Sequence, residues 1–184
     1  LDTAAEPVQL IHSRGEAGSL RWSPDGSKLA FVSGRNDHAF LGVYDVESKS
    51  VRYMDPSVDR DSNPVWSADG TRIAFLRTPS AVEPRLFRPQ RSALPWSIMV
   101  GNVSDGKATR IWLADTGRGS AFHGIAADNQ LFWTADNRLV FPWERTGWTL
   151  LYSVPAVGGK ASLLTPGEFE VEHVAISGDR RTLI

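Results

Sequence analysis

The sequence predicts an all-β fold, a partial β-propeller of four-stranded antiparallel blades, on three observations. One short motif returns four times, a second landmark follows three of the copies, and the interval between copies suits one blade. The motif is first seen as Trp22-Ser23-Pro24-Asp25-Gly26, running on to Leu29-Ala30-Phe31. It returns as Trp66-Ser67-Ala68-Asp69-Gly70 with Ile73-Ala74-Phe75, then as Trp133-Thr134-Ala135-Asp136-Asn137 with Leu139-Val140-Phe141. A fourth copy, Ile176-Ser177-Gly178-Asp179-Arg180, ends on Leu183-Ile184. In each copy the large apolar residue precedes the Asp by three positions. This pattern reads as a hairpin. A buried strand ends at the Trp or Ile, the Asp side chain caps backbone N–H groups in the turn, and Gly or Asn accepts positive φ. The Leu/Ile-x-Phe alternation then opens the second strand.

After each of the first three hairpins comes an apolar stretch, residues 40–46, 96–103 and 148–154, the expected third strand. Each leads into a polar turn holding Lys49, Lys107 or Lys160, three of the chain's four lysines, and then a short fourth strand. From Trp to Lys the spacings are 27, 41 and 27, so the middle copy carries 14 extra residues. The first two copies lie 44 residues apart, within the about 40–50 residues of a propeller blade. The expected blades are 20–54, 64–112 with an insert at 78–95, and 131–165, all in one unit. Residues 1–19 are read as the close of a preceding blade plus a connector, and 174–184 as the start of a further one. Propellers close with about four to eight blades, so the stretch is expected to be part of a ring. Its unpaired terminal strands are expected to promote self-association.

Composition narrows the function classes. Among 184 residues, 20 Lys+Arg face 21 Asp+Glu, a formal charge of −1, which argues against nucleic-acid and anionic-membrane partners. No apolar run approaches the ~20 residues of a membrane span. The absence of cysteine excludes disulfides, thiolate zinc and cysteine catalysis, and leaves cytoplasm and periplasm both open. His12, His38, His123 and His173 lack metal-ligand spacing. Asp59-x-Asp61-x-Asn63 begins like a calcium loop, but Pro64 stands where that loop needs Gly and Gly70 where it needs Glu. No Gly-x-Ser-x-Gly elbow, Walker A loop or His-Glu-x-x-His motif is present. No catalytic residue, metal or cofactor is therefore expected within the chain.

Strand order fixes where function can lie. With strands A to D in each blade, the tight Asp and lysine turns share one face. The A-strand connectors and B–C loops share the other, and binding groups concentrate on such loops. Two places stand out there. The insert residues Arg88 and Arg91 offer forked donors to a carboxylate or carbonyl; the alternative is a solvated loop that buries Phe87 and Leu94. Glu144 and Arg145 form the tip of the third B–C loop, either as substrate-side groups or as a local ion pair on an exposed tip.

The Trp22-Ser23-Pro24-Asp25-Gly26 hairpin with Leu29-Ala30-Phe31 resembles the propeller repeats of TolB-like proteins and of the prolyl oligopeptidase family, and does not separate the two. The segment Phe141-Pro142-Trp143-Glu144-Arg145-Thr146-Gly147-Trp148-Thr149-Leu150-Leu151-Tyr152 resembles the Glu-Arg-Asp-Gly-Trp-x-His-Leu-Tyr stretch of dipeptidyl peptidase IV-like serine peptidases, with Thr146 for Asp and Leu150 for His. Residues 91–98 followed by Asp105-Gly106-Lys107 resemble bacterial members of that group. The resemblance implies a non-catalytic propeller that gates and positions peptide substrates. It would do so for a C-terminal α/β-hydrolase domain bearing a Ser, Asp, His triad, outside these residues. It also implies a B–C-loop arginine near the substrate, for which Arg88 and Arg91 are the candidates. The glutamate pair that grips a substrate amine has no adjacent match, since Glu168 and Glu170 flank Phe169. The TolB-like alternative implies a protein–protein interaction scaffold without chemistry.

Overall fold

A computed structural model describes Glu6 and residues 8–12, 15–80 and 94–184. Twelve strands fall into three blades. Blade 1 comprises β1 (Glu16–Trp22), β2 (Lys28–Gly34), β3 (Ala39–Asp45) and β4 (Ser50–Tyr53). Blade 2 comprises β5 (Arg60–Trp66), β6 (Arg72–Thr78), β7 (Ser97–Asn102) and β8 (Ala108–Leu113). Blade 3 comprises β9 (Phe132–Trp133), β10 (Arg138–Trp143), β11 (Leu150–Pro155) and β12 (Ser162–Leu163). Within each blade the neighbours pair antiparallel in chain order. A fourth hairpin is held by an Ile176–Leu183 bridge and two hydrogen bonds between Ala175 and Ile184, of 2.8 and 2.9 Å. The sheets form an open arc, a partial propeller. Blades 1 and 2 share one parallel pair, Ala39 opposite Arg60.

Period-2 alternation builds the layers between blades. In β6, Ile73 and Phe75 face blade 1, where they join Ala30, Leu41, Val43 and Trp66. The intervening Ala74 and Leu76 face blade 3, where they join Trp96, Trp133, Leu139 and Phe141. The other side of blade 3 places Val140 and Leu151 against Val174, with Ile176 and Leu183 beside them. Trp66 and Trp133 therefore pack toward the preceding blade, and the Trp66 indole also donates to the Arg21 carbonyl at 2.9 Å. This corrects one expectation. Trp66 and Trp133 are buried strand ends, but Trp22 is 56% exposed, because no blade stands on its side among the described residues. Residues 8–12 lie in no strand. Ile11 packs on Leu29, Phe31 and Tyr44.

The four turns share one hydrogen-bond scheme. Ser23, Ser67 and Ser177 each donate a hydroxyl to the Asp two residues on, at 2.6 Å. That Asp accepts the amide of Ser27, Thr71 or Arg181 at 3.0–3.1 Å. Thr134 and Asp136 repeat the hydroxyl bond in a turn one residue shorter. Positive φ falls on Gly26, Gly70 and Asn137, and in the fourth copy on Arg180 at 59°.

These bonds hold the Asp25 and Asp69 carboxyls at about 2, the neighbouring hydroxyl contributing most, and Asp179 is lowered for the same reason. A carboxyl depressed by folding stabilises the fold fully above its ordinary value of 3.8, and that contribution fades as pH falls through about 2. The melting temperature is thus expected to hold steady at mildly acid pH and to drop across that window. An Asp69→Asn variant is expected to show a shallower drop; an identical acid profile would show that the turn does not couple to folding.

Candidate functional site

The irregular face gathers the β2–β3 loop (35–38), the β4–β5 connector (54–59), the β8–β9 connector (114–131), the β10–β11 loop (144–149) and the connector after β12. Two clusters organise it. At the blade 1–2 boundary, Arg60 reaches the carbonyls of Arg35 and Asn36. The Ser80 hydroxyl reaches the Asp37 carbonyl. Beneath them lies a buried ionic cluster. Arg77 Nε and Nη2 contact the two Asp61 oxygens at 2.7 and 3.1 Å, and Nη1 contacts Asp55 at 3.1 Å. Burial pushes the Asp61 carboxyl up, opposed by the Arg77 guanidinium and the Leu41 amide.

The second cluster contains Glu144 and Arg145, which do not pair with each other. Each is held by the β8–β9 connector. Glu144 Oε2 lies 2.6 Å from His123 Nδ1. Arg145 Nη2 lies 3.1 Å from Asp115, and its guanidinium lies 5.2 Å from the centroid of the Trp143 ring. Arg118 of the same connector donates to the Thr146 carbonyl at 3.0 Å. The connector can dock so closely because of Gly119. Its carbonyl accepts both the Trp96 and Trp143 indole N–H groups, at 3.2 and 3.0 Å. Its φ is +74°, and a Cβ there would fall 2.6 Å from Trp143 Nε1, so a side chain is excluded.

Glu170 accepts the Thr149 amide at 2.6 Å, which ties the connector after β12 to the β10–β11 loop. Its neighbour Phe169 is 45% exposed. Arg88 and Arg91 lie outside the described residues. Nothing in the sequence marks His123, Asp115 or Arg118 as site residues. Their contacts span 21 to 30 positions and carry no periodic signal. The cluster offers a forked donor and a partly exposed carboxylate, suited to holding the polar ends of a ligand. Among the described residues no histidine ring is hydrogen-bonded to a Ser or Thr hydroxyl.

Comparison with known proteins places this geometry. No family model matches the chain. A 67-residue stretch, 36% of the chain, is 37% identical to the uncharacterized peptidase YuxL of Bacillus subtilis and covers 10% of that protein. Among solved structures, TolB from Acinetobacter baumannii matches 95% of the chain at a TM-score of 0.63 and 20% identity, over 38% of its own length. An oligogalacturonate lyase in complex with manganese matches 95% of the chain at 0.68 and 16% identity, over 48% of its length. A prolyl endopeptidase matches 88% at 0.58 and 21% identity, over 23% of its length. The chain thus spans about a tenth of the curated relative and less than half of each of these structures. With four copies of one hairpin, an open arc of blades and these likenesses, the chain is a partial β-propeller, a fold it shares with TolB, an oligogalacturonate lyase and a prolyl endopeptidase.

Proposed function

We propose that this chain is the non-catalytic propeller portion of a serine peptidase of prolyl oligopeptidase type, in the dipeptidyl peptidase IV-like group. Its irregular face, carrying Glu144 and Arg145, lies toward a C-terminal α/β-hydrolase domain of the same polypeptide and gates and positions peptide substrates. The observation that carries the reading is the 67-residue, 37% likeness to a bacterial peptidase, since the structural likenesses speak to fold. The docked Glu144 and Arg145 support it. Both are held from the side by His123 and Asp115, so their remaining acceptor and donor capacity is preorganised at little further entropic cost. In this scheme the hydrolase domain performs the acyl-enzyme chemistry, and the propeller contributes selection and shielding. Arg88 and Arg91 of the insert belong to the same proposal as substrate-side arginines.

A second reading, a TolB-like interaction scaffold, is favoured by the match to TolB over 95% of the chain. One experiment separates the two. The full-length gene product and the 184-residue chain are each treated with a fluorophosphonate probe and assayed on peptide substrates. The expected result is labelling and hydrolysis by the full-length protein alone, with Arg145→Ala raising KM more than it lowers kcat. An unlabelled full-length protein favours the scaffold, and hydrolysis by the 184 residues overturns the assignment of a non-catalytic propeller.

A further inference from the structure

The innermost strands line a cleft of about 510 Å³ that the proposed function does not use. Its walls combine apolar groups, among them Val65, Phe132, Trp133 and Ile176, with polar ones, and two arginines line it, Arg21 from β1 and Arg180 from the fourth hairpin. Among the described residues both guanidinium groups bond only to backbone carbonyls. Arg21 donates to Leu20 at 2.9 Å and to Asp128, and Arg180 donates to Trp66 at 2.9 Å. Carbonyls fix the guanidinium planes without neutralising them, and each group keeps N–H donors to spare. Asp128 also lines the cleft, so the two arginines against one aspartate leave one positive charge in excess.

Arg180 has a further distinguishing feature. It holds the positive-φ turn position that Gly26, Gly70 and Asn137 occupy in the other copies. A long charged side chain at a conformation that disfavours it is placed where its head reaches 114 positions back along the chain. Asn129, by contrast, spends its amide on the Pro64 carbonyl and its oxygen on the Gln130 amide, and acts as a strut.

We infer that this cleft is a binding site for a carboxylate borne on a short apolar body, with Arg21 and Arg180 taking the carboxylate and the inner-strand side chains taking the body. The volume lies in the range of small-ligand sites, which combine apolar walls with few polar anchors. Guanidinium groups suit a carboxylate through forked, charge-assisted hydrogen bonds, and two of them line this cleft. The inference does not depend on the peptidase reading, because it rests on lining residues of the cleft and not on Glu144 or Arg145.

The chemistry fits either the C-terminal end of a peptide or a small free acid, and calorimetric titration distinguishes them. The 184-residue chain is titrated with acetyl-leucyl-leucine, with its C-terminal amide, and with hexanoate. One-to-one binding of an acid at least ~10-fold tighter than the amide is expected. Arg21→Gln and Arg180→Gln should each weaken the acid about 10-fold and leave the amide unchanged. Tighter binding of the dipeptide acid than of hexanoate assigns the site to peptide C-termini, and the reverse order assigns it to free acids. Equal binding of acid and amide, no binding of either acid, or acid binding indifferent to both substitutions overturns the inference. The acid-against-amide contrast uses the unsubstituted chain, so it decides the matter even where a variant misfolds.

Discussion

Replacing Arg77 with alanine is expected to destabilise the chain by about 3–5 kcal/mol, the usual cost of stranding one member of a buried ion pair. The Asp61 side chain is fully buried, and Arg77 supplies two of its hydrogen bonds. Without Arg77 the carboxylate keeps one protein donor, the Leu41 amide at 3.3 Å. Arg77 also holds Asp55 through its carboxylate and, at 2.7 Å, its carbonyl. The loss therefore reaches β3 of blade 1 and the connector into blade 2 together. Asp61→Asn should cost less, since Arg77 retains Asp55. An Asp61→Leu/Arg77→Leu double variant should recover part of the single-variant loss, because matched apolar groups remove the desolvation penalty. Urea titration of the three variants reads this directly, and an unchanged midpoint for Arg77→Ala would show that the cluster contributes nothing to folding.

Trp66→Ala and Trp22→Ala are expected to differ several-fold in cost although the two residues hold the same motif position. Trp66 is 3% exposed between blades 1 and 2 and bonds to the Arg21 carbonyl. Truncating a buried Trp costs about 3–5 kcal/mol through lost transfer energy and the cavity left behind. Trp22, being 56% exposed, has little burial to lose, and a change of less than ~1 kcal/mol is expected. Equal losses in urea titrations of the isolated chain would contradict the packing of Trp66 between blades 1 and 2 and the exposure of Trp22. The exposed side of blade 1, with Leu20 and Trp22 both more than half exposed, is also the surface on which self-association of the isolated chain would be sought.

The hairpin register shows where local reading stops. From the turn alone, Trp66 opposite Ile73 extends to Asp61 opposite Thr78. A bulge in β5, with Asn63 at φ 52°, shifts the ladder by one and sets Asp61 opposite Arg77. Blade 1 shows the same shift, with Ser19 at φ 52° three residues before Trp22. In blade 3 the equivalent position is Gln130, and β9 is only two residues long. There the side chain of Gln130, bonded to the Ile125 amide and carbonyl at 2.7 and 2.8 Å, shapes the entry instead. The motif did not announce these differences, because bulges arise from how the innermost strand bends against its neighbours.

By itself the sequence determined the four hairpins, the three blades, the alternation that sorts Leu/Ile-x-Phe from its neighbours, and the face on which the irregular loops collect. Those features depend on turn conformation and on the period of a strand, both set by residues a few positions apart. Tertiary structure alone decided that Glu144 meets His123, that Arg145 meets Asp115, that Asp61 is buried against Arg77, and that Arg21 and Arg180 enter one cleft. Each of those meetings follows from how blades and connectors pack, and packing brings together residues whose separation along the chain carries no periodic signal.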